Sequence, residues 1–335
     1  MPVADQKYFS KEHISLHRFE APEALAEQAV YCLELVAELV QTGLSFQFKG
    51  GNSLLLILDA PQRFSIDVDI ATDEPRERIE QSLEKAIKEF GLFTKWTKRQ
   101  HQTKPWLPLS SYRCFFDSRF TGTADAFVML DVQMTRSPYE TRFVPIRCGD
   151  LIRSSCAAEI PLPSSIIGDK LLTLGPRTLG IPVGKGKDAQ RLKHVFDVSL
   201  LLSTLPALSK IRESLFACLK HENDIQEKCI AVQYVLADTV AFCKTVREFS
   251  YMPEPNIALD PALIENITGF APFTGHLFSK KYDWGALKRD MARAAFVMTA
   301  ACEEKVSEAE FAEILKINPD DPEVYWQKTE EWMLQ

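Results

Sequence analysis

Residues 49–70 read KGGNSLLLILDAPQRFSIDVDI, and the reading of this stretch decides the fold. From Arg63 the residues alternate: Arg63, Ser65, Asp67 and Asp69 are polar, while Phe64, Ile66, Val68 and Ile70 are apolar. A strand has period 2, so this pattern predicts one polar face and one apolar face. Two carboxylates two residues apart on one face repel each other unless both meet water or share a divalent cation. Upstream, an apolar strand-like run, Phe46 to Lys49, meets Gly50-Gly51, and a short helix-like run follows from Asn52 to Leu58. Strand, glycine turn, short helix and acidic strand, in that order, point to a metal-dependent nucleotide site.

The rest of the chain bounds that reading. With 335 residues, 46% of them hydrophobic and 25% charged, the chain has the composition of a globular protein with one large domain or two lobes. It has no apolar run of the roughly 18 residues a membrane span requires and no signal-peptide pattern in its first twenty residues, so a cytoplasmic location is expected, without a membrane partner. Its eight cysteines are scattered and form no C-x-x-C pair, which predicts reduced, mostly buried thiols rather than disulfides or a zinc centre. The net charge of −7 argues against wholesale coating of nucleic acid and leaves room for a local basic groove.

Along the chain, an amphipathic helix is expected over Pro22–Val40, and a charged helix over Pro75–Phe90, opened by Asp73 and a proline and closed by Gly91. Strands are expected at Phe93–Thr97, Tyr112–Asp117, Ala126–Met134 and Arg142–Ile146. From Ile166 to about Ser203 the pattern is helical around a loop at Gly180–Gly186, and beyond Leu205 it is almost all helix. The expected fold is α+β and two-lobed: a lobe with a central mixed sheet and an N-terminal helical arm over 1–160, then a mostly helical lobe over 161–335.

Phosphoryl transfer onto a nucleophilic oxygen needs something to neutralise the charge built up between entering and leaving groups. Two magnesium ions about 3.5–4 Å apart do this in many enzymes, held by a few hard oxygen ligands. Asp67 and Asp69 would supply the first pair. Asp131 interrupts the apolar run FVMLDVQM and is the third candidate ligand, since a lone carboxylate there must be paired, metal-bound or at an exposed strand end. The glycine pair would allow close approach to phosphate, with the N–H groups of the following helix turned to an anion. A solvated strand edge is the alternative reading of D-x-D alone.

Lys49-Gly50-Gly51-Asn52-Ser53-Leu54 followed by Arg63-x-Ser65-x-Asp67-x-Asp69 resembles the first motif of the AbiEii-type toxin nucleotidyltransferases, within the DNA polymerase β-like superfamily. Two downstream pieces resemble the same family: Gly168-Asp169-Lys170-Leu171-Leu172, and the basic run from Arg191 to Asp197. The resemblance spans Lys49 to about Leu202 and departs from the family pattern at Asn52-Ser53, where Thr-Ala is usual, and at His194, where Asp is common. It implies a polymerase β-like nucleotidyltransferase using an NTP with Mg2+, or Mn2+ in its place. Asp67, Asp69, Lys170 and Asp197 would be catalytic, and Gly50, Gly51, Ser53, Arg63 and Ser65 would contact the nucleotide. It further implies the toxin of a type IV toxin–antitoxin or abortive-infection phage-defence pair, acting on an RNA acceptor such as a tRNA 3′ end, or on itself or another protein. An antitoxin from a neighbouring gene is the implied partner.

By residue chemistry alone, Lys170 either lies along an apolar face and reaches to water or aims its ammonium at a triphosphate. Asp197, on an apolar helix, needs a partner in Lys170, Lys193 or Arg191, in the site or as an interhelical salt bridge. Lys185 and Lys187, in the loop Gly184–Asp188, are candidate phosphate contacts, with Arg177 and Arg191 extending a positive rim. The run Lys95–Trp106 interleaves cations and aromatics, as an RNA-facing hairpin or an exposed one folded back on the core. Two other functions compete: a non-catalytic nucleotide- or protein-binding module on the same fold, and a metal-dependent phosphohydrolase, for which the six histidines do not cluster with the acidic strand.

Overall fold

A computed structural model of the chain describes residues 1–58, 61–99, 108–122, 125–249, 259–279 and 281–334. These fall into two compact units, Met1–Leu162 with His276–Ser279, and Pro163–Gly275 with Lys280–Gln335. The fold is α+β: a mixed seven-stranded sheet in the first unit and a helical second unit. Among the described residues, no helix is long and apolar enough to cross a membrane.

The first unit runs α1 (Lys11–His17), α2 (Glu23–Gln41), β1 (Gln47–Lys49), α3 (Gly50–Ile57), β2 (Asp67–Ala71) and α4 (Arg76–Phe90), then β3 (Lys95–Arg99), β4 (Leu109–Phe116), β5 (Ala126–Gln133), β6 (Thr141–Cys148) and β7 (Ile152–Pro161). Strand order is β3-β4-β5-β2-β1-β7-β6; β2 pairs β5 in parallel and β1 pairs β7 in parallel, and the other pairings are antiparallel. Alternation in the central strands builds the core. Val68, Ile70, Val128, Leu130, Val132, Tyr112, Cys114 and Phe116 are buried, and Tyr31 of α2 stacks on Phe116 at 3.8 Å between ring centroids. Each fully buried Val or Leu side chain contributes about 1.5–3 kcal/mol. The opposite face of the same strands carries the polar residues.

Several expectations are revised. The strand expected from Arg63 pairs only from Asp67, because Arg63 turns inward, 6% exposed, and bridges to Leu277 instead of joining the ladder. Residues His276–Ser279 return to this unit: Phe278 N donates to the Gln62 carbonyl at 2.9 Å, and the Phe278 ring lies 4.7 Å from Phe64. Helix α2 is not half-solvated but buried on nearly every side, enclosing Glu27, Glu34 and Glu38. Glu27 accepts from Ser118 Oγ and Arg119 N, and Glu34 accepts from Ala4 N, which anchors the N-terminal arm. Helix α3 starts at Gly50, and a further strand, β7 (Ile152–Pro161), runs up to the expected boundary between the lobes. Helix α4 ends as read, with Gly91 at φ +68°.

The second unit contains α5 (Pro163–Leu172), α6 (Asp188–Leu202), α7 (Leu208–Gln226), α8 (Val232–Arg247), α9 (Pro261–Thr274), α10 (Trp284–Cys302), α11 (Glu308–Ile317) and α12 (Pro322–Met333). Helix α10 is its axis, with residues Ala292 and Ala294–Ala301 fully buried, the small side chains allowing α6, α8 and α12 to pack against it.

Candidate active site

Strand register assembles the acidic site. Lys49 on β1 faces Asp69 on β2, Asp69 faces Asp131 on β5, Asp131 faces Ser111 on β4, and Ser111 faces Arg99 on β3. Residues directly opposite in a sheet share a face, about 4.8 Å apart from strand to strand. One polar row therefore crosses five strands, with two carboxylates at its centre. Asp67, two residues before Asp69, shares the strand face and stands opposite Met129. The row opens into a cleft of about 290 Å³ whose lining includes Lys49, Asp69, Ser111, Asp131 and Gln133.

Hydrogen bonds hold its members. Ser111 Oγ donates to Asp131 Oδ1 and fixes that carboxylate. Lys49 Nζ donates to Gln133 Oε1 at 2.6 Å and to Ser137 Oγ at 3.3 Å, and lies 5.7 Å from the Tyr139 ring centre. The donor set offered by Asp67, Asp69 and Asp131 is oxygen only, which suits a hard divalent cation. Among the described residues, no three His, Cys, Asp or Glu side chains are already drawn together as a metal cluster.

The glycine pair is required by packing. Gly50 has φ +73°, and a Cβ there would lie 1.9 Å from Asp69 Oδ2; a Cβ on Gly51 would lie 3.0 Å from Arg63 Nη2 and Ser65 Oγ. The N-terminal turn of α3, the positive end of its dipole, is thus pressed against the acidic strand. Asn52 stitches the two together: its Nδ2 donates to the Asp67 carbonyl at 2.8 Å, and Ser65 N donates to its Oδ1 at 3.3 Å. Ser53 is fully buried, with its hydroxyl donating to the Gly50 carbonyl at 2.8 Å. Ser65 is partly exposed beside Gly51, whereas Arg63 is enclosed.

In the second unit, Lys170 Nζ and Asp197 Oδ2 are 2.9 Å apart, with side-chain exposures of 8% and 0%. Lys170 sits in the last turn of α5, paired rather than reaching to water. Beside it, Thr173 Oγ1 donates to the Lys170 carbonyl at 2.7 Å and lies 2.7 Å from His194 Nδ1. Lys185 and Lys187 are exposed in the loop before α6. Arg191 does not belong to a positive rim: fully buried, it pairs with Glu265 at 2.8 Å, donates to the Ile181 carbonyl at 2.6 Å and stacks on Phe242, so its charge is spent holding α6 to α9. Of the basic run, Lys95–Arg99 form β3, and residues 100–106 lie outside the described residues.

Reading along the chain missed Ser111, Gln133 and the anchoring part of Asn52, and used Lys49 only as a motif letter. Lys49 could have been found from its place before Gly-Gly, and Ser111 from the alternation of SSYRCFF once its register was known.

The family model for the AbiEii toxin nucleotidyltransferases of type IV toxin–antitoxin systems matches residues 34–295 of the 335. The chain belongs to this family. It is accordingly a nucleotidyltransferase, and the family implies an NTP substrate, a divalent metal and an antitoxin. No curated protein sequence matches it. Among solved structures, it is similar to MenT4, a nucleotidyltransferase toxin from Mycobacterium tuberculosis, with 14% identity, 92% of this chain and 98% of that chain covered, and a TM-score of 0.40. It is also similar to an antigenic nucleotidyltransferase-like protein from Paracoccidioides brasiliensis, with 15% identity, coverage of 61% and 94%, and a TM-score of 0.37. The AbiEii match takes in both the acidic row and the Lys170–Asp197 pair.

Proposed function

We propose that this AbiEii-family toxin transfers a nucleotide from an NTP to an RNA acceptor, a tRNA 3′ end being the leading candidate, with magnesium as its cation. The observation that carries the reading is the row Lys49–Asp69–Asp131–Ser111, with Asp67 on the same strand face. Asp67, Asp69 and Asp131 would hold the cation, which when bound supplies neutralisation of the charge that develops between entering and leaving oxygens.

The chain's own groups divide the remaining work. The acceptor hydroxyl oxygen bonds to the α-phosphorus, the bond to the β-phosphate bridge breaks, and pyrophosphate leaves. In this reading Asp131, whose carboxylate accepts from the Ser111 hydroxyl, takes the hydroxyl proton. The N–H groups at the start of α3, together with Ser65, face the phosphates, and Asn52 keeps α3 in step with the acidic strand. Lys49, braced by Gln133, supplies a fixed positive charge on the same row. The Lys170–Asp197 pair, and Lys185 and Lys187 as exposed phosphate contacts, complete the reading through the family motif they match. A neighbouring gene product is the proposed antitoxin.

The test is incubation with each radiolabelled NTP, total RNA and Mg2+, followed by separation of protein and RNA products. Label on RNA that is lost with EDTA and in Asp69→Asn, at unchanged circular dichroism, is the expected result. Label on protein alone, or full transfer by Asp69→Asn, refutes the RNA reading or the metal reading respectively.

A further inference from the structure

The face that carries the acidic row continues toward the β3 edge with a different chemistry. Register places Lys95 opposite Phe115 and Phe115 opposite Phe127; the next row toward the site is Thr97, Arg113, Met129 and Asp67; the next is Arg99, Ser111, Asp131 and Asp69. These positions are two residues apart on each strand, so all lie on one face. The result is a patch in which cations alternate with rings and which ends at the carboxylates. Lys95 Nζ lies 4.7 Å from the Phe115 ring centre, the Arg113 guanidinium 5.0 Å from that of Phe127, and the two rings are 5.7 Å apart.

Three details say that this patch is built for a ligand. Lys95, Thr97 and Arg99 are exposed, and Phe115 and Phe127 are partly exposed beneath their cations. Among the described residues, the buried Arg113 Nε has no hydrogen-bond partner, a donor left unused at the centre of the patch. The strand also sorts its cations by face. Lys98, on the α4 side, is neutralised by Glu80 at 2.9 Å, whereas Lys95 meets, among the described residues, the exposed Asp125 at 3.5 Å, a pair that a phosphate can replace. Rings flanked by cations on an open sheet face stack bases and hold phosphates without needing a duplex.

We propose that the β3–β4–β5 part of this face is the acceptor track. A single-stranded RNA end lies across it with bases against Phe115 and Phe127 and phosphates on Lys95, Arg99 and Arg113, and the row Arg99–Ser111–Asp131 leads its terminal hydroxyl to Asp131. The assignment rests on the RNA-transfer reading above and adds where the acceptor binds and in what form.

The test uses the full chain and a fluorescein-labelled, mixed-sequence, 12-nucleotide single-stranded RNA, followed by anisotropy at several salt concentrations. Lys95→Glu/Arg99→Glu changes two exposed side chains and is expected to weaken binding at least about tenfold and to reduce the salt slope by about 1.4, at roughly 0.7 per phosphate contact on a single strand. Phe127→Leu keeps apolar volume, removes a stacking ring and is expected to cost roughly tenfold. In the transfer assay both variants should raise the KM for RNA and leave the KM for NTP unchanged. Unchanged RNA affinity and RNA KM in the charge-reversal variant overturn the track while leaving the transfer reaction standing. So does an equal loss from Lys85→Glu/Lys88→Glu on α4, which would show only a general charge effect. Wild-type protein that places no label on RNA overturns the reaction assignment and the track with it.

Discussion

Gly50→Ala isolates the contact that ties α3 to the acidic strand. At φ +73° an alanine carries the left-handed penalty of roughly 1–2 kcal/mol. Its Cβ would also sit 1.9 Å from Asp69 Oδ2 and 2.6 Å from Asp69 Cγ, so the carboxylate must rotate off its rotamer or the turn must shift, adding about 0.5–1.5 kcal/mol. Gly91→Ala is the control: φ is +68°, and a Cβ there meets nothing within 4 Å, so it carries the backbone penalty alone. Thermal melts should place Gly50→Ala below Gly91→Ala by a few degrees, at about 2–4 °C per kcal/mol for a domain of this size. Turnover should separate the two far more. A displacement of about 1 Å in a reacting group costs on the order of 10²-fold, so pyrophosphate release with saturating NTP and RNA should fall by roughly that factor in Gly50→Ala and stay within a few-fold of wild type in Gly91→Ala. Equal turnover in the two variants would refute the coupling between the glycine turn and Asp69.

Two further outcomes follow from buried charge and a third from the acidic row. Burial, reinforced by the neighbouring charge of Glu34, raises the Glu38 carboxyl from 4.5 to about 9, and its two oxygens have no hydrogen-bond partner among the described residues. The folded state thus holds a proton that the unfolded chain releases above about 4.5, so this group's contribution to stability is complete below that pH and is lost as pH rises toward 9. By pH 7 the loss is about 3 kcal/mol at 1.36 kcal/mol per unit, so the advantage of Glu38→Met over wild type in urea melts should widen from pH 5 to pH 8, and a constant difference would contradict the buried, protonated state. Lys170→Met removes the cation 2.9 Å from the buried Asp197 carboxylate and should destabilise by up to about 3–5 kcal/mol, whereas Lys170→Met/Asp197→Leu should recover most of the stability; if turnover returns with stability, the pair is structural and not catalytic. Ser111→Ala should lower kcat at constant NTP KM by releasing the Asp131 carboxylate, an effect to be read from initial rates, and an unchanged kcat removes Ser111 from the positioning of that group.

Local pattern alone determined that Asp67 and Asp69 share a strand face, that Val68 and Ile70 face a core, and that a helix stops at Gly91, because strand period, helix period and left-handed capping are properties of neighbouring residues. Asp131 was legible as a lone carboxylate in an apolar strand, but neither its face nor its partner was. Alternation says which side of a strand a residue occupies and nothing about which strand lies beside it, so only the sheet order β4-β5-β2-β1 brought Ser111, Asp131, Asp69 and Lys49 into one row. The polar residues that misled are those whose environment depends on distant chain. Arg63 reads as a surface strand residue and is enclosed by the glycine turn and the returning Leu277; Arg191 reads as part of a basic rim and is enclosed by Glu265 and Phe242; Glu27, Glu34 and Glu38 read as the wet side of α2 and lie inside. A charged side chain enters a core only when partners remote in sequence arrive to receive it or when it gives up its charge, and both conditions are set by tertiary packing rather than by the letters beside it.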